Sequence, residues 1–244
     1  MNDKRLNIWY KDDQFKNQFS TNSQKEIVFN RWKYFKKIIL KHNFKKQQLR
    51  ILDLGSGDGV NILGLNSIMK SLNFNYEIYA SDYSQDRLDK LSKRFPEVKT
   101  LKFDISNEVI NNKYDLILFN HVLEHIKNEN QALYNLKALL KKDGLMILGV
   151  PNEGCLIAQI RNKICQRKIL KYTDHVNFYT MKSLKSKISP YFIMNSSFRE
   201  GFFMPHDSIQ RALRKFLLGR YFLNLLLFFF PSQSAGLILG LSSK

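Results

Sequence analysis

Cysteine is scarce in this sequence, with two residues among 244, ten positions apart and in no CxxC pair. Such usage excludes a disulfide framework and favours a reducing compartment, so a cytoplasmic protein is expected. The first twenty residues are polar with scattered aromatic residues, and no secretory signal peptide is predicted there.

Acidic residues are also few, with 21 Asp and Glu against 39 Lys and Arg and a formal net charge of +18. Residues 31–50 hold eight basic residues and no acid, and residues 156–189 hold eight against one acid. This excess is typical either of a lysine-rich solvated surface or of an anionic partner. No RRM, KH, zinc-finger or helix-turn-helix pattern occurs, so nucleic acid is not an expected partner.

The sequence has no apolar run long enough to cross a bilayer. Residues 216–230 are intensely apolar, but they are too few and too interrupted, by Arg220 and Asn224, to span about 30 Å of hydrocarbon. Three interpretations stay open for this segment: a lid over a substrate pocket, a homodimer face, or a helix lying on an anionic membrane surface beside nearby arginines and lysines.

What the sequence does contain is a regular alternation of strand and helix patterns. Apolar runs predict strands at residues 51–54, 77–82, 98–103, 114–119 and 145–150, with helical patterns between them. This order predicts an α/β fold with a doubly wound, mostly parallel sheet, completed to seven strands by residues 191–196 and 235–241.

The same pattern divides the chain into three parts. Residues 1–49 are predicted to form an irregular arm and a cap helix over residues 24–42. This helix is expected to pack over the open edge of the cofactor site, with a plain surface helix as the alternative. Residues 50–152 form a Rossmann-like core. Residues 153–244 form a substrate-side segment with helical stretches at 153–172 and 180–189 and an apolar helical insertion near the C-terminus.

A glycine-spaced loop lies at the end of the first predicted strand, where residues 51–59 read ILDLGSGDG. Glycines let backbone approach a ligand, and the following helix offers unpaired N–H groups. The GxGxG spacing differs from the GxGxxG of dinucleotide sites, and Asp53 and Asp58 would repel a pyrophosphate. Both acids suit a cationic cofactor with ribose hydroxyls. A plain tight turn is the alternative.

Further polar residues end the next strands. Asp82, 23 residues after Gly59, is placed to accept from two ribose hydroxyls, and Asp104 is placed to accept from an adenine amino group. Asn120 ends the fourth strand. Parallel strands bring these ends to one edge of the sheet, where ligands bind. Helix capping by Asp82 and a loop-start role for Asp104 remain alternatives.

These residues resemble motif I and the strand-end acids of the class I S-adenosylmethionine-dependent methyltransferases. Residues 120–126, NHVLEHI, resemble the xxVLEHI element of the subgroup acting on small molecules, lipids and sugars, and residues 174–180, DHVNFYT, resemble its HxxFxT element. The resemblance implies a Rossmann-like methyltransferase fold, S-adenosyl-L-methionine as cofactor, and a small-molecule, sugar- or lipid-linked acceptor, with oxygen favoured over nitrogen. No NPPY or DPPY element of nucleic-acid base methyltransferases is present.

The resemblance also assigns site residues. Cofactor binding is predicted for Asp53, Gly55, Ser56, Gly57, Asp82, Tyr83, Asp104, Ile105 and Asn120. A hydroxyl acceptor needs a base, and His175 and His121 are the catalytic candidates. His121, Glu124 and His125 imitate the spacing of a metal-binding helix, but without a further ligand pattern no metal site is predicted.

Two other functions compete with methyl transfer. One is an NAD(P)-dependent oxidoreductase, disfavoured by the glycine spacing. The other is a non-catalytic basic protein on the same fold that associates with a membrane or RNA. The expected location is cytoplasmic, with peripheral contact at the inner membrane surface as an extension of the membrane interpretation.

Overall fold

A seven-stranded sheet forms the centre of the computed structural model, which describes residues 13–45, 48–108 and 110–244. The strands are β1 (Gln48–Leu54), β2 (Asn75–Asp82), β3 (Lys99–Lys102), β4 (Tyr114–Asn120), β5 (Leu140–Pro151), β6 (Phe192–Phe202) and β7 (Ser234–Ser243). Their order is β3-β2-β1-β4-β5-β7-β6, with β7 antiparallel to both neighbours and the other paired strands parallel. The predicted mostly parallel, seven-stranded sheet is confirmed.

Ten α-helices accompany the sheet in the described residues. They are α1 (Gln14–Gln18), α2 (Asn22–His42), α3 (Val60–Ser71), α4 (Gln85–Arg94), α5 (Glu129–Leu139), α6 (Leu156–Ile160), α7 (Leu170–Thr173), α8 (Met181–Ile188), α9 (Asp207–Lys215) and α10 (Leu217–Phe229). Short 3₁₀ turns lie at Leu123–His125 and Pro231–Gln233, and a π-helical turn at Arg161–Cys165. The part of the predicted arm at residues 1–12 lies outside the described residues.

Helices cover both faces of the sheet. Neighbouring residues of a strand point to opposite faces, so each strand contributes side chains to both cores. Ile51 belongs to the core that includes residues of α2 and α3, and Leu52 belongs to the core that includes residues of α5 and α8. Burial on both sides explains why β4 is buried at all seven positions. The apolar runs that predicted the strands therefore reflect a three-layer arrangement.

Helix α2 was expected over the open edge of the cofactor site, and that prediction is wrong. Its apolar stripe lies in the core with α3, and the Trp32 ring occupies the space of a Cβ at Gly64, 2.5 Å away. The much shorter α1 contacts the glycine loop instead, through the N–H of Gln14, which donates to Asp58 Oδ2 at 2.8 Å. Periodicity identifies a buried face but not its partner.

Several boundaries also differ from the predictions. Gly144 was expected to end the preceding helix, but β5 already begins at Leu140. Leu140 pairs with Tyr114 and Leu145 with Leu116, so residues 141–144 bulge out of the ladder. The predicted helix over 153–172 is broken into α6, the π-helical turn and α7, and β6 extends six residues beyond its predicted end at 196.

Strand order places the candidate site. Strands β1 and β4 are neighbours at the centre of the sheet. From β1 the chain continues to β2 and β3 on one side, and from β4 it continues to β5 on the other side. This reversal of strand order opens a crevice beyond the carboxyl ends of β1 and β4. Asp53 pairs with Leu118, and Leu54 pairs with Ser81. One residue beyond the last β1–β2 pair, Gly55 lies level with Asp82. Two residues beyond the last β1–β4 pair, Gly55 lies level with Asn120. The residues predicted from the strand ends therefore converge on one edge.

Candidate active site and cofactor pocket

The loop between β1 and α3 takes a backbone path that only glycine follows easily. Gly55, Gly57 and Gly59 have φ values of +75°, +53° and +91°. The N–H groups of Gly55 and Ser56 both donate to the carbonyl of Ser81, at 2.7 and 2.9 Å. A Cβ at Gly55 would lie 2.2 Å from Cγ2 of Val122, so this position sits against the segment after β4.

Asp82 fixes the shape of the loop from the neighbouring strand. Its Oδ2 accepts from the N–H of Gly57 at 3.0 Å, and its Oδ1 accepts from the N–H of Ser84 at 2.9 Å. Burial raises the pKa of this carboxyl, although both backbone bonds act in the opposite direction. The N-cap residue of α4 is Ser84, so these bonds do not make Asp82 the helix cap of the alternative interpretation. Each oxygen retains a second lone pair, and binding of the ribose stays a prediction.

Asp82→Ala is expected to weaken cofactor binding by about 1–3 kcal/mol, the scale of a lost hydrogen bond to a charged group. Titration calorimetry with S-adenosylhomocysteine measures the change. Asp86→Ala removes an exposed carboxylate four residues along the chain and serves as the matched control. Unchanged affinity in a folded Asp82→Ala protein would mean that the ribose is held elsewhere.

Three buried polar side chains near the ends of β1 and β4 have oxygen atoms without a hydrogen-bond partner in the described structure. They are both carboxylate oxygens of Asp53, Oγ of Ser56 and Oδ1 of Asn120. Burial, with the charge of Asp82, raises the pKa of Asp53 to about 8. A buried carboxylate without a partner is costly, and a cation would compensate it. The pocket therefore fits a ligand with positive charge and hydrogen-bond donors, as S-adenosylmethionine has.

Asp58 does not face this pocket, which corrects its interpretation as a cofactor-facing acid. Its carboxylate forms a buried ion pair with Arg87 at 3.1 Å and accepts from the N–H of Gln14 at 2.8 Å. The carbonyl of Asp58 accepts from Arg94 at 2.7 Å. These bonds attach the glycine loop to α4 and α1, so the role of Asp58 is structural.

The residues predicted for the adenine side lie at the end of β3. Asp104 Oδ1 accepts from the N–H of Ser106 and Oδ2 accepts from the side-chain amide of Asn107, both at 2.8 Å. Ile105 is buried. Burial raises the pKa of the Tyr83 hydroxyl, as do the nearby charges of Asp174 and Asp104. Cofactor binding by Asp104, Ile105 and Tyr83 stays a prediction.

The two family-like elements, far apart in sequence, are hydrogen-bonded to each other. The carbonyl of Glu124 accepts from the N–H groups of Val176 and Asn177, at 2.9 and 3.0 Å. The Asn177 side-chain amide donates to the carbonyls of Ile126 and Leu123, at 2.7 and 3.2 Å. Residues 174–177 are therefore held against the turn after β4, and His175 is fixed near the site.

His175 belongs to a buried charge relay that the sequence did not reveal. Its Nδ1 lies 2.6 Å from Oε2 of Glu153, whose Oε1 lies 2.5 Å from the Arg161 guanidinium. Although burial opposes ionisation, the bonds and charges of His175 and Arg161 lower the pKa of Glu153. Glu153 follows β5 as Asp104 follows β3, so the rule of strand-end acids could have identified it. Arg161, in a π-helical turn, gave no such signal.

His121 forms a second histidine–carboxylate pair. It takes a left-handed backbone conformation with φ of +58°, and its Nδ1 lies 3.1 Å from Oε1 of the buried Glu124. Burial opposes ionisation of Glu124, but the hydrogen bond and charge of His121 and the charge of His125 lower its pKa. His121 directly follows β4 and is partly exposed, and its catalytic role stays a prediction.

Glu124, His125 and His175 each offer a metal-ligand atom, and these atoms lie within 4.8 Å of one another. Ligand atoms around a tetrahedral zinc ion, with bonds of about 2.0–2.2 Å, are closer, at about 3.3–3.6 Å. The trio would have to contract to hold such an ion. The prediction of no metal site stays a prediction.

Comparison with known proteins identifies the family. The model of a family described as "Methyltransferase domain" matches residues 25–187. Over 135 residues, which cover 50% of this chain, the sequence is 32% identical to the highly reducing polyketide synthase tstA of Talaromyces stipitatus. The chain spans only 5% of the length of that relative.

Solved structures show the same fold at low sequence identity. The N-methyltransferase NodS of Bradyrhizobium japonicum, in complex with S-adenosylhomocysteine, matches with a TM-score of 0.59 and 10% identity, over 98% of this chain and 96% of that one. A second match is a chain in the complex between the Haloferax volcanii Trm112 methyltransferase activator and a methyltransferase. Its TM-score is 0.65 and its sequence identity 10%, and the match covers 100% of this chain and 99% of that one. The family match shows that this chain belongs to the methyltransferase-domain family, and the solved structures show that it shares the fold of these methyltransferases.

Proposed function

We propose that this enzyme transfers the methyl group of S-adenosylmethionine to a hydroxyl oxygen of a small, sugar- or lipid-linked acceptor, with His175 as the base. The observation that carries this proposal is the His175–Glu153–Arg161 relay. A bond from Nδ1–H to Glu153 leaves Nε2 with a lone pair, the form of imidazole that accepts a proton. The anionic Glu153 then stabilises the imidazolium that forms.

The relay favours oxygen over nitrogen as the methyl acceptor. A neutral amine attacks with its own lone pair, whereas a hydroxyl becomes a good nucleophile only as its proton leaves. In the proposed step, His175 takes the hydroxyl proton, the oxygen bonds to the methyl carbon, and the C–S electron pair returns to sulfur. S-adenosylhomocysteine and an ether are the products, and positioning of the reactants in line supplies much of the rate.

The cofactor supplies an activated methyl group, and the residues of this chain hold it. Asp53, Ser56 and Asn120 offer unpartnered oxygens to the methionine end, while Asp82 and the glycine loop lie beside the ribose position. The pocket carries several carboxylates in a protein with a formal charge of +18. The sulfonium loses its charge during transfer, so a moderate attraction to the cation avoids trapping the ground state.

Turnover with a panel of acceptors tests the proposal. We expect release of S-adenosylhomocysteine with at least one hydroxylated acceptor, and an O-methyl product by mass spectrometry and NMR. Matched amine analogues of each acceptor form the control series. Exclusive N-methylation, at a rate that His175→Ala does not change, would overturn the assignment of oxygen and of the base.

A further inference from the structure

Helix α10 is apolar on both its inner and its outer face. Gly219 and Leu223 are buried against the body of the protein. The outer face exposes Leu217, Leu218, Tyr221, Phe222, Leu225, Phe228 and Phe229. At about 100° per residue these seven side chains fall within one arc of about 140°. An α-helix with two apolar faces normally has both covered.

This exposed stripe is extensive rather than scattered. Leu218 is 82% exposed and Phe228 is 78% exposed, and Phe216 and Phe230 extend the stripe at both ends. Contiguous apolar patches of this kind mark interaction sites in soluble proteins. A lid closed on its own domain would bury this face, so the structure does not favour the lid interpretation of residues 216–230.

The stripe is held in place by close packing with α9. The backbone of Leu213, near the end of α9, approaches Gly219 so closely that a Cβ there would lie 2.1 Å from the Leu213 carbonyl oxygen. Arg220 also pairs with Glu26 of α2 at 2.7 Å. The α9–α10 hairpin therefore presents its outer face as a fixed surface.

The charges around the stripe indicate what covers it. Residues 208–230 contain four basic residues and no acid. Arg220 is paired with Glu26, but Arg211 and Lys215, one helical turn apart on α9, are exposed and have no carboxylate partner among the described residues. A second copy of the chain would bring like charges together. An anionic surface would complement them.

We propose that the α9–α10 hairpin docks on membranes that contain anionic phospholipid. The apolar stripe enters the headgroup region with α10 in the plane of the surface, and Arg211 and Lys215 contact lipid phosphates. No helix in the described parts of the chain has both the length and the apolar character needed to cross a bilayer. The hairpin is therefore a surface anchor, and it would bring the site to an acceptor that resides in or at the lipid layer.

Vesicle flotation of the full chain tests this proposal without reference to methyl transfer. With phosphatidylcholine vesicles containing phosphatidylglycerol, we expect the protein to float, and added salt should reduce the floating fraction. With phosphatidylcholine alone, binding should be at least about tenfold weaker, because Arg211 and Lys215 contribute to the attraction toward anionic lipid.

Matched variants locate the docking surface. Leu218→Ser with Phe228→Ser should reduce partitioning by at least about tenfold, since two large apolar side chains leave the interface. The control pair, Leu40→Ser with Tyr134→Ser, removes apolar side chains that are 54% and 60% exposed on other helices, and should float as the wild type does. Circular dichroism checks that both variants are folded.

Three results would overturn the proposal. The first is a protein that stays unbound with both vesicle types. The second is equal loss of binding in the two variant pairs. The third is a stable dimer in analytical ultracentrifugation that the Leu218/Phe228 variant dissociates, which would assign the stripe to a second copy of the chain.

Discussion

Asp53→Asn is expected to stabilise the ligand-free protein at pH 8 while weakening its hold on S-adenosylmethionine. The folded-state pKa of Asp53 is about 8, raised from 3.8 by burial and by the charge of Asp82. Between these two values the unfolded chain has lost the proton that the folded chain keeps. This group therefore stabilises the fold least at high pH, and its contribution falls by up to about 1.4 kcal/mol per pH unit across that range.

Urea unfolding at pH 5, 6.5 and 8 measures the effect. The difference in unfolding free energy between Asp53→Asn and wild type should grow in favour of the variant as the pH rises. Asp86→Asn removes an exposed carboxylate on the first turn of α4, away from the pocket, and is the matched control. Parallel pH profiles for wild type and Asp53→Asn would show that Asp53 ionises normally in the fold.

Burial makes the ionised carboxylate of Asp53 unfavourable in the ligand-free protein, and a bound cationic cofactor would offset that unfavourable free energy. A bound cation favours the carboxylate, so binding below pH 8 should release a proton, which calorimetry in buffers of different ionisation enthalpy detects. Asp53→Asn should abolish this release and weaken binding about 10- to 100-fold, the range for hydrogen bonds to charged groups. Binding of unchanged strength would place the methionine end of the cofactor elsewhere.

His175→Ala is expected to lower turnover by about 10²- to 10⁴-fold with cofactor affinity intact, the range for loss of a general base. Steady-state kinetics and calorimetry on the same preparation separate the two quantities. His42→Ala is the control, because His42 contacts the carbonyl of Asp143, remote in sequence from the relay. Near-normal turnover in His175→Ala would leave catalysis to positioning alone.

Glu153→Gln distinguishes a base held by an anion from a merely structural histidine. The amide can still accept the Nδ1–H bond, but it carries no charge to stabilise the imidazolium that forms when His175 takes the proton. Turnover should therefore fall while the affinity for the cofactor, measured by calorimetry, stays intact. Turnover equal to that of the wild type would show that the charge of Glu153 does not contribute to the reaction.

The sequence predicted the parts of this molecule that depend on local pattern. Burial on both faces makes the central strands continuous apolar runs, and the order of strands and helices then determines the sheet class. The convergence of Gly55, Asp82 and Asn120 followed from the rule that parallel strands end at one edge. Helix α10 was predicted from the high apolar content of residues 216–230, although Arg220 and Asn224 interrupt the run.

What the sequence missed depends on long-range pairing. Asp58 resembled a ligand-facing acid until the fold brought Arg87 and Gln14 to its oxygens. The bulge before Leu145 arises because Leu140 pairs with Tyr114, which no local preference of Gly144 indicates. Arg161 meets Glu153 through an irregular turn without a periodic pattern. In each case a tertiary contact determined a role that residue type alone left open.

The bonds that join the 174–177 segment to the Glu124 carbonyl have a consequence for how the enzyme can be observed. The two donors, Val176 N–H and Asn177 N–H, are single backbone amides, and each exchanges with solvent only when its bond to that carbonyl opens. Movement of residues 174–177 away from the turn after β4 must break these bonds. The exchange rates of these two amides therefore record how often this segment opens in the ligand-free protein.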